Sequence, residues 1–138
     1  MSVLYGHDQA VADWVGGKLG KPFSEPFKAI GVIDGEGTLT GGFVFTVYTG
    51  PSISLSLAGR GVSSREAWRA VLAYVFDDLD CSRLECRTSA KNKIVRKSLP
   101  RLGFKFEGTA RRLFGKDDGL VFSLIAEELA AFRTKWRL

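Results

Sequence analysis

Cysteine, histidine and methionine are scarce: the 138 residues hold two cysteines, one histidine and one methionine. That inventory leaves no zinc signature, and no metal is expected. Cys81 and Cys86 are only five positions apart, Cys81 just before and Cys86 within an expected strand. Extended chain separates such residues by roughly 16 Å, beyond the reach of a disulfide. Both therefore read as free thiols of a reducing compartment, and a cytoplasmic location is expected. A thiol nucleophile needs a base beside it. None is evident near Cys86, which reads as packing. His7 stands alone near the start and reads as a solvated or capping residue. No run approaches the ~20 continuous apolar residues of a membrane helix. The first thirteen residues lack a basic segment followed by an apolar one, so neither a secretory signal nor a membrane partner is expected. No repeat, low-complexity tract or linker divides the chain, which points to one domain over 1–138.

What is present is ordinary soluble-domain chemistry, with 45% hydrophobic and 25% charged residues. At this length folding buries roughly two-thirds of the chain's surface, enough for a core without staples. The net charge is +5, and it is unevenly spread. Between positions 83 and 116 every charged residue is Lys or Arg except Glu85 and Glu107. Such a field favours a polyanionic ligand, either nucleic acid or a nucleotide's phosphates. Nucleic acid ranks last, because interleaved exposed aromatics and any helix-turn-helix or zinc signature are lacking.

Periodicity orders the elements. Residues 8–19 read as a helix carrying Val11, Trp14, Val15 and Leu19, ended by Lys21-Pro22 and Glu25-Pro26. Residues 27–34 and 38–49 read as strands around a Gly35-Glu36-Gly37 turn, with Phe43, Phe45 and Val47 on one face. Residues 52–57 alternate serine with Ile53, Leu55 and Leu57. A helix follows, opened by Ser63 and Glu66 at capping-box spacing, with an apolar stripe of Trp68, Val71, Leu72, Val75, Phe76 and Leu79. Then come a strand over 83–88 and a helix over 92–102 that turns Ile94, Val95, Leu99 and Leu102 inward. Pro100 should kink it and Gly103 end it. Strands over 104–111 and 120–126 close the series, joined through 115–119. The tail from Glu127 carries Trp136 but no clear further domain. The fold class is α/β (α+β), a mixed sheet with helices packed on it.

The informative stretch is strand, Gly-x-Gly, helix start, at Leu57, Ala58, Gly59, Arg60, Gly61, Val62, Ser63, Ser64, Arg65 and Glu66. Glycine lets backbone approach a ligand closely. First-turn amides have no internal partner and, with the helix dipole, form an anion site suited to a pyrophosphate. A second strand–helix unit starts its helix at Asn92 and ends it at Leu102-Gly103-Phe104. Glu107-Gly108-Thr109-Ala110-Arg111 comes next.

With these blocks the chain, over about 30–126, resembles the GNAT N-acetyltransferases. It is most similar to the branch that acetylates ribosomal-protein N-termini and to short phage-encoded GNAT-like proteins. The resemblance implies a mostly antiparallel sheet with helices on both faces and a splayed central strand pair, here 53–58 and 83–88. Acetyl-CoA would lie in that gap as co-substrate, its pantetheine pairing like an added strand. Its pyrophosphate would meet the amides of 60–64, helped by Arg60 and Arg65. An amine acceptor would attack the thioester, with the Leu57 backbone amide facing the oxyanion. Glu36 is the candidate base and Ser98 the candidate acid, and Asn92 would bond near the pantetheine. Monomer and homodimer both fit.

Two departures stand out. The leading polar residue of the family's loop is absent at Ala58, and Ser63 replaces the last small residue. The position where many members carry a tyrosine acid is Leu99, which cannot titrate. A non-catalytic CoA-binding or interaction protein on the same fold is therefore the second reading, and a basic nucleic-acid-binding domain the third.

Overall fold

A computed structural model describes residues 1–138. Seven strands form one sheet in the order β1-β2-β3-β4-β5-β7-β6: β1 Ser2–Leu4, β2 Lys28–Ile33, β3 Leu39–Thr46, β4 Ser52–Ala58, β5 Arg83–Ser89, β6 Lys105–Phe114 and β7 Asp117–Ile125. Every neighbouring pair is antiparallel except β4 with β5. The helices are α1 Asp8–Leu19, α2 Arg65–Leu72 with a π-helical continuation over Ala73–Asp78, α3 Lys93–Leu102 and α4 Leu129–Trp136. The sheet is mixed, mostly antiparallel and covered on both faces, as the fold class anticipates.

Alternation along the strands builds two cores. Phe43, Phe45, Ile53, Leu55, Leu84, Cys86, Phe122 and Leu124 project to one face and meet Trp68, Val71, Leu72 and Val75 of the α2 unit. The edge of Trp68 packs on Phe43 at 5.3 Å between ring centroids, and its Nε1 donates to the Val62 carbonyl at 2.7 Å. On the opposite face Val11, Ala12 and Val15 of α1 cover Ala29 and Val44. Gly31 and Gly42, paired across β2 and β3, make the seat. A Cβ on Gly42 would lie 2.6 Å from a Val15 methyl, so only glycine lets α1 lie this close.

The structure differs from the periodicity reading at several places. Strand β3 stops at Thr46, because Val47 takes a positive φ of 52° and turns to solvent instead of joining the Phe43–Phe45 face. The cap of α2 is Ser64, whose Oγ accepts from the Ala67 amide at 3.2 Å. Ser63 instead closes a 3-10 turn, Arg60–Ser63, by donating to the Arg60 carbonyl. Ile94 is 79% exposed. The helical arc of α3 that holds Leu99 against the core turns Ile94 outward. The β6–β7 hairpin reaches further than expected, to Phe114 and Asp117, with Gly115 in the turn at φ 79°. The tail is not featureless: α4 places Phe132 against Trp68 and Phe104.

Candidate functional site

Strands β4 and β5 pair for only four rungs, from Ser52 opposite Arg83 to Leu55 opposite Cys86. Beyond Leu55 they part. Ser56, Leu57 and Ala58 then line one wall of a gap, and Arg87, Thr88 and Ser89 the other. Two influences hold the ends apart. Ala58 stays paired to Gly42 of β3, while Thr88 and Ser89 stay paired to Leu120 and Gly119 of β7. Each strand keeps its antiparallel partner and loses its parallel one.

The gap opens to both faces of the sheet. On the α2 side lies a largely apolar cleft of about 780 Å³, bordered by Leu57, the 59–65 loop, Trp68, Asn92, Val95 and the tail residues Phe132 and Trp136. The gap itself measures about 600 Å³ and shares Lys18, Leu57, Asn92 and Leu99 with that cleft. On the α1 side a recess of about 260 Å³ is floored by Ser54 and Ser56 and walled by Lys21, Arg87 and Phe114.

The loop beside the cleft is anchored from behind. Gly59 has a φ of 91°, and a Cβ there would sit 2.4 Å from the Thr40 carbonyl oxygen and 2.6 Å from Trp14. A Cβ on Gly61 would lie 2.7 Å from Thr40 Oγ1 and 3.0 Å from the Gly41 nitrogen. The Val62 and Ser64 amides are taken by the Gly59 and Gly61 carbonyls at 3.4 and 3.0 Å. The first of these is long for an N–H···O bond.

A polar band crosses four strands below the gap. Glu85 accepts from Arg83 at 2.6 Å, from Arg87 at 2.6 Å and from Ser54 at 2.9 Å. Arg83 also donates to Glu107, which accepts from Ser123 at 2.8 Å. Burial pushes the Glu85 carboxyl up, but the bonds from Arg83, Ser54 and Arg87 outweigh it and leave the group below its ordinary value. The Arg83 hydrogen bond dominates at Glu107 and lowers that carboxyl as well. Burial pushes the Cys86 thiol well above its ordinary range, which disfavours the thiolate form.

Solved structures share this fold. A GCN5-related N-acetyltransferase from Brucella melitensis superposes with a TM-score of 0.70 at 27% identity, over 83% of this chain and 57% of that one. The chain thus spans a little over half the length of that relative. The spermidine/spermine N-acetyltransferase SpeG from Vibrio cholerae, in mutant form, superposes at 0.72 with 12% identity over 94% of this chain and 97% of its own. The ribosomal-protein-S5-alanine acetyltransferase from Vibrio fischeri gives 0.61 at 19% identity, over 74% and 63%. This is the GNAT fold. No protein-family model and no curated protein sequence matches the chain.

Within the GNAT frame the structure gathers most of the anticipated residues. Leu57, Ala58, Gly59, Arg60, Val62, Ser63, Arg65, Asn92 and Ser98 all border the 780 Å³ cleft. Gly61 and Ser64 stand behind the loop, one as a packing contact and the other as the α2 cap. Asn92 caps α3, its Oδ1 accepting from the Val95 amide at 3.1 Å, and still borders the cleft. The Ser98 hydroxyl donates to the Ile94 carbonyl at 2.7 Å, and Leu99 is 1% exposed. Glu36 is not brought to the cleft. It lies in the exposed β2–β3 turn, where Asp34 accepts from the Glu36 and Thr38 amides, and it borders none of the three cavities. In the Glu-Gly-x-x-Arg block, Glu107 braces Arg83 and Ser123, whereas Arg111 is exposed.

Sequence reasoning missed Lys18, Lys21, Arg87, Ser54 and Phe114, which shape the α1 side. One signal was available. Arg83, Glu85 and Arg87 alternate with buried Leu84 and Cys86, which marks a polar strand face. Lys21 and Phe114 lie outside regular periodicity and gave none.

Proposed function

We propose that this protein transfers the acetyl group of acetyl-CoA to a primary amine, on a protein N-terminus or a small molecule, by direct attack. The observation that carries the reading is the parting of β4 from β5 after Leu55, beside a glycine loop that borders a large apolar cleft. The freed β4 edge suits a pantetheine chain, which would pair with it as an added strand. The α2-side cleft suits the apolar faces of the nucleotide. Arg60 and Arg65 supply charge for the diphosphate at the loop, and Asn92 stands at the mouth of the gap. The neutral amine would attack the thioester carbon, forming the C–N bond. The Leu57 amide would face the developing oxyanion. The C–S bond then breaks as the nitrogen loses one proton and the sulfur gains one; the Ser98 hydroxyl is the candidate donor to sulfur and would be reprotonated by the proton that the nitrogen releases, carried through water.

Acetyl-CoA in hundredfold excess over its Kd should stabilise the fold by about 2.7 kcal/mol, a shift of several degrees in Tm for a domain of this size. Arg60→Ala or Arg65→Ala should weaken binding about ten- to a hundredfold, since a hydrogen bond to a charged group contributes about 1.5–3 kcal/mol. Free-thiol release with a panel of amines reads turnover, and Ser98→Ala should lower kcat without changing the melting shift. No shift with acetyl-CoA refutes the proposal. One observation favours a second reading, a non-catalytic CoA-binding protein: Leu99, which lines the gap, has no proton to give, and the Ser98 proton is committed to a carbonyl. A melting shift without thiol release selects that reading.

A further inference from the structure

We infer that the acceptor is an amine that also carries an acid group, carboxylate or phosphate, received by the Lys21 ammonium and the Arg87 guanidinium on the α1 side of the sheet. The inference rests on the acetyl-transfer reading for the identity of the reaction, but its argument concerns a different wall of the gap.

The recess on that side is lined by two cations and no carboxylate; the nearest, Glu85, lies beneath it and is already taken by Arg83, Arg87 and Ser54. Lys21 and Arg87 line it together with Ser54, Ser56 and Thr46. The adjoining gap contains one carboxylate, Asp117, whose oxygen already lies 2.9 Å from Lys91. Lys21 has no carboxylate within salt-bridge distance; its ammonium sits between the rings of Phe23 and Phe114, at 5.3 and 5.5 Å. These aromatic faces place the charge without neutralising it. Arg87 bonds Glu85 through Nε alone, which leaves its two terminal nitrogens to point a donor fork elsewhere. Lys18, at the rim of the gap, is also without an acid partner and lies over Trp14 at 5.2 Å. Burial, with the Arg87 charge added, pulls the Lys21 pKa below its ordinary value, the mark of a cation lacking a counter-ion.

The missing anion is not a phosphate of CoA. Arg60 and Arg65 belong to the α2-side cleft, and neither Lys21 nor Arg87 borders it. Strand alternation separates the two sets. Leu84 and Cys86 face the α2 core, while Arg83, Glu85 and Arg87 face the other way. An acceptor entering from the α1 side would thus present its amine to the gap through the sheet, with its acid end against Lys21 and Arg87. A polyamine would bring a second cation to the same place, against like-charge repulsion.

The test compares kcat/KM for γ-aminobutyrate, O-phosphoethanolamine, phenethylamine and spermidine, with acetyl-CoA at saturation. At least one of the two acid-bearing amines should be preferred over phenethylamine by about tenfold, the scale of one hydrogen bond to a charged group. Which of the two leads separates carboxylate from phosphate. Lys21→Gln should erase the preference through KM, and Lys21→Glu should move it toward spermidine, both with the acetyl-CoA melting shift intact. A readout free of turnover is the melting shift given by N-acetyl-γ-aminobutyrate against that given by N-acetylspermidine. A larger shift with the acid supports the inference even without catalysis. Preference for spermidine or phenethylamine in the unmodified protein overturns the inference and leaves acetyl transfer standing. Loss of the acetyl-CoA shift itself overturns the acetyl-transfer reading and this inference with it.

Discussion

Alanine at Gly59, compared with alanine at Gly50, separates contact from backbone freedom in setting the loop. Both glycines have positive φ, 91° and 98°. A side chain forced into such backbone costs on the order of 1–3 kcal/mol, and alanine regains about 0.4–1 kcal/mol by restricting the unfolded chain. On these terms the two substitutions are equivalent. Their surroundings are not. A Cβ at Gly50 meets nothing within 4 Å, whereas one at Gly59 lies 2.4 Å from the Thr40 carbonyl oxygen and 2.6 Å from Trp14. The Thr40 oxygen is main chain within β3 and cannot swing aside, so Gly59→Ala adds an overpacking cost of about 1–3 kcal/mol. Urea unfolding of both variants, with equal m-values, measures the difference directly. Gly59→Ala should lie about 1–3 kcal/mol below Gly50→Ala and should also lose part of the acetyl-CoA melting shift. Gly50→Ala should keep that shift in full. Equal stabilities within about 0.5 kcal/mol would refute the claim that β3 fixes the loop.

The remaining predictions concern titration and thiols. Glu85 and Glu107 have lowered folded pKa values, so each stabilises the fold fully above its ordinary value near 4.5 and loses that contribution as pH falls through the lowered one. Urea midpoints should therefore decline below about pH 4.5, and Glu85→Gln should flatten that decline while lowering stability at pH 7. A Glu85→Gln profile as steep as the unmodified protein's would contradict the assignment. Cys81 and Cys86 are 3% and 1% exposed, and burial is the first cause raising each thiol. A disulfide reagent should find neither in the native protein at neutral pH and both after denaturation; rapid native labelling would show that the strand interior opens.

How far the sequence foretold the structure depends on which interactions decide each part. Clean alternation at Ile53, Leu55 and Leu57 and the stripe from Trp68 to Phe76 placed β4 and the α2 unit, because one apolar face dictates both. The same logic failed at Val47, where apolar identity conceals a backbone reversal, and at Ile94, where an apolar residue on a short helix borders a cleft rather than the core. The tail was unreadable because α4 is held by tertiary contacts, Phe132 on Trp68 and the Trp136 Nε1 bond to the Leu102 carbonyl. Within the site, the glycine loop and Asn92 were legible as backbone devices with a fixed grammar. Lys21 was not, because its meaning is a missing counter-charge beside Arg87, and that appears only when distant segments meet. Glu36 shows the opposite case: its turn chemistry was visible, but which cavities the turn borders was not.

The polar band across β4, β5, β7 and β6 has a mechanical consequence. A guest forced between Ala58 and Ser89 is a wedge, and a wedge tends to run a tear down the seam ahead of it. Ser54, Glu85 and Arg83 sit as a rivet at the tear's tip, bonded crosswise through Glu107 to β6 and β7. Load applied at the mouth is therefore handed sideways to Glu107 and Ser123 instead of unzipping Ser52 from Arg83. The opening can flex at its lip while its root stays put.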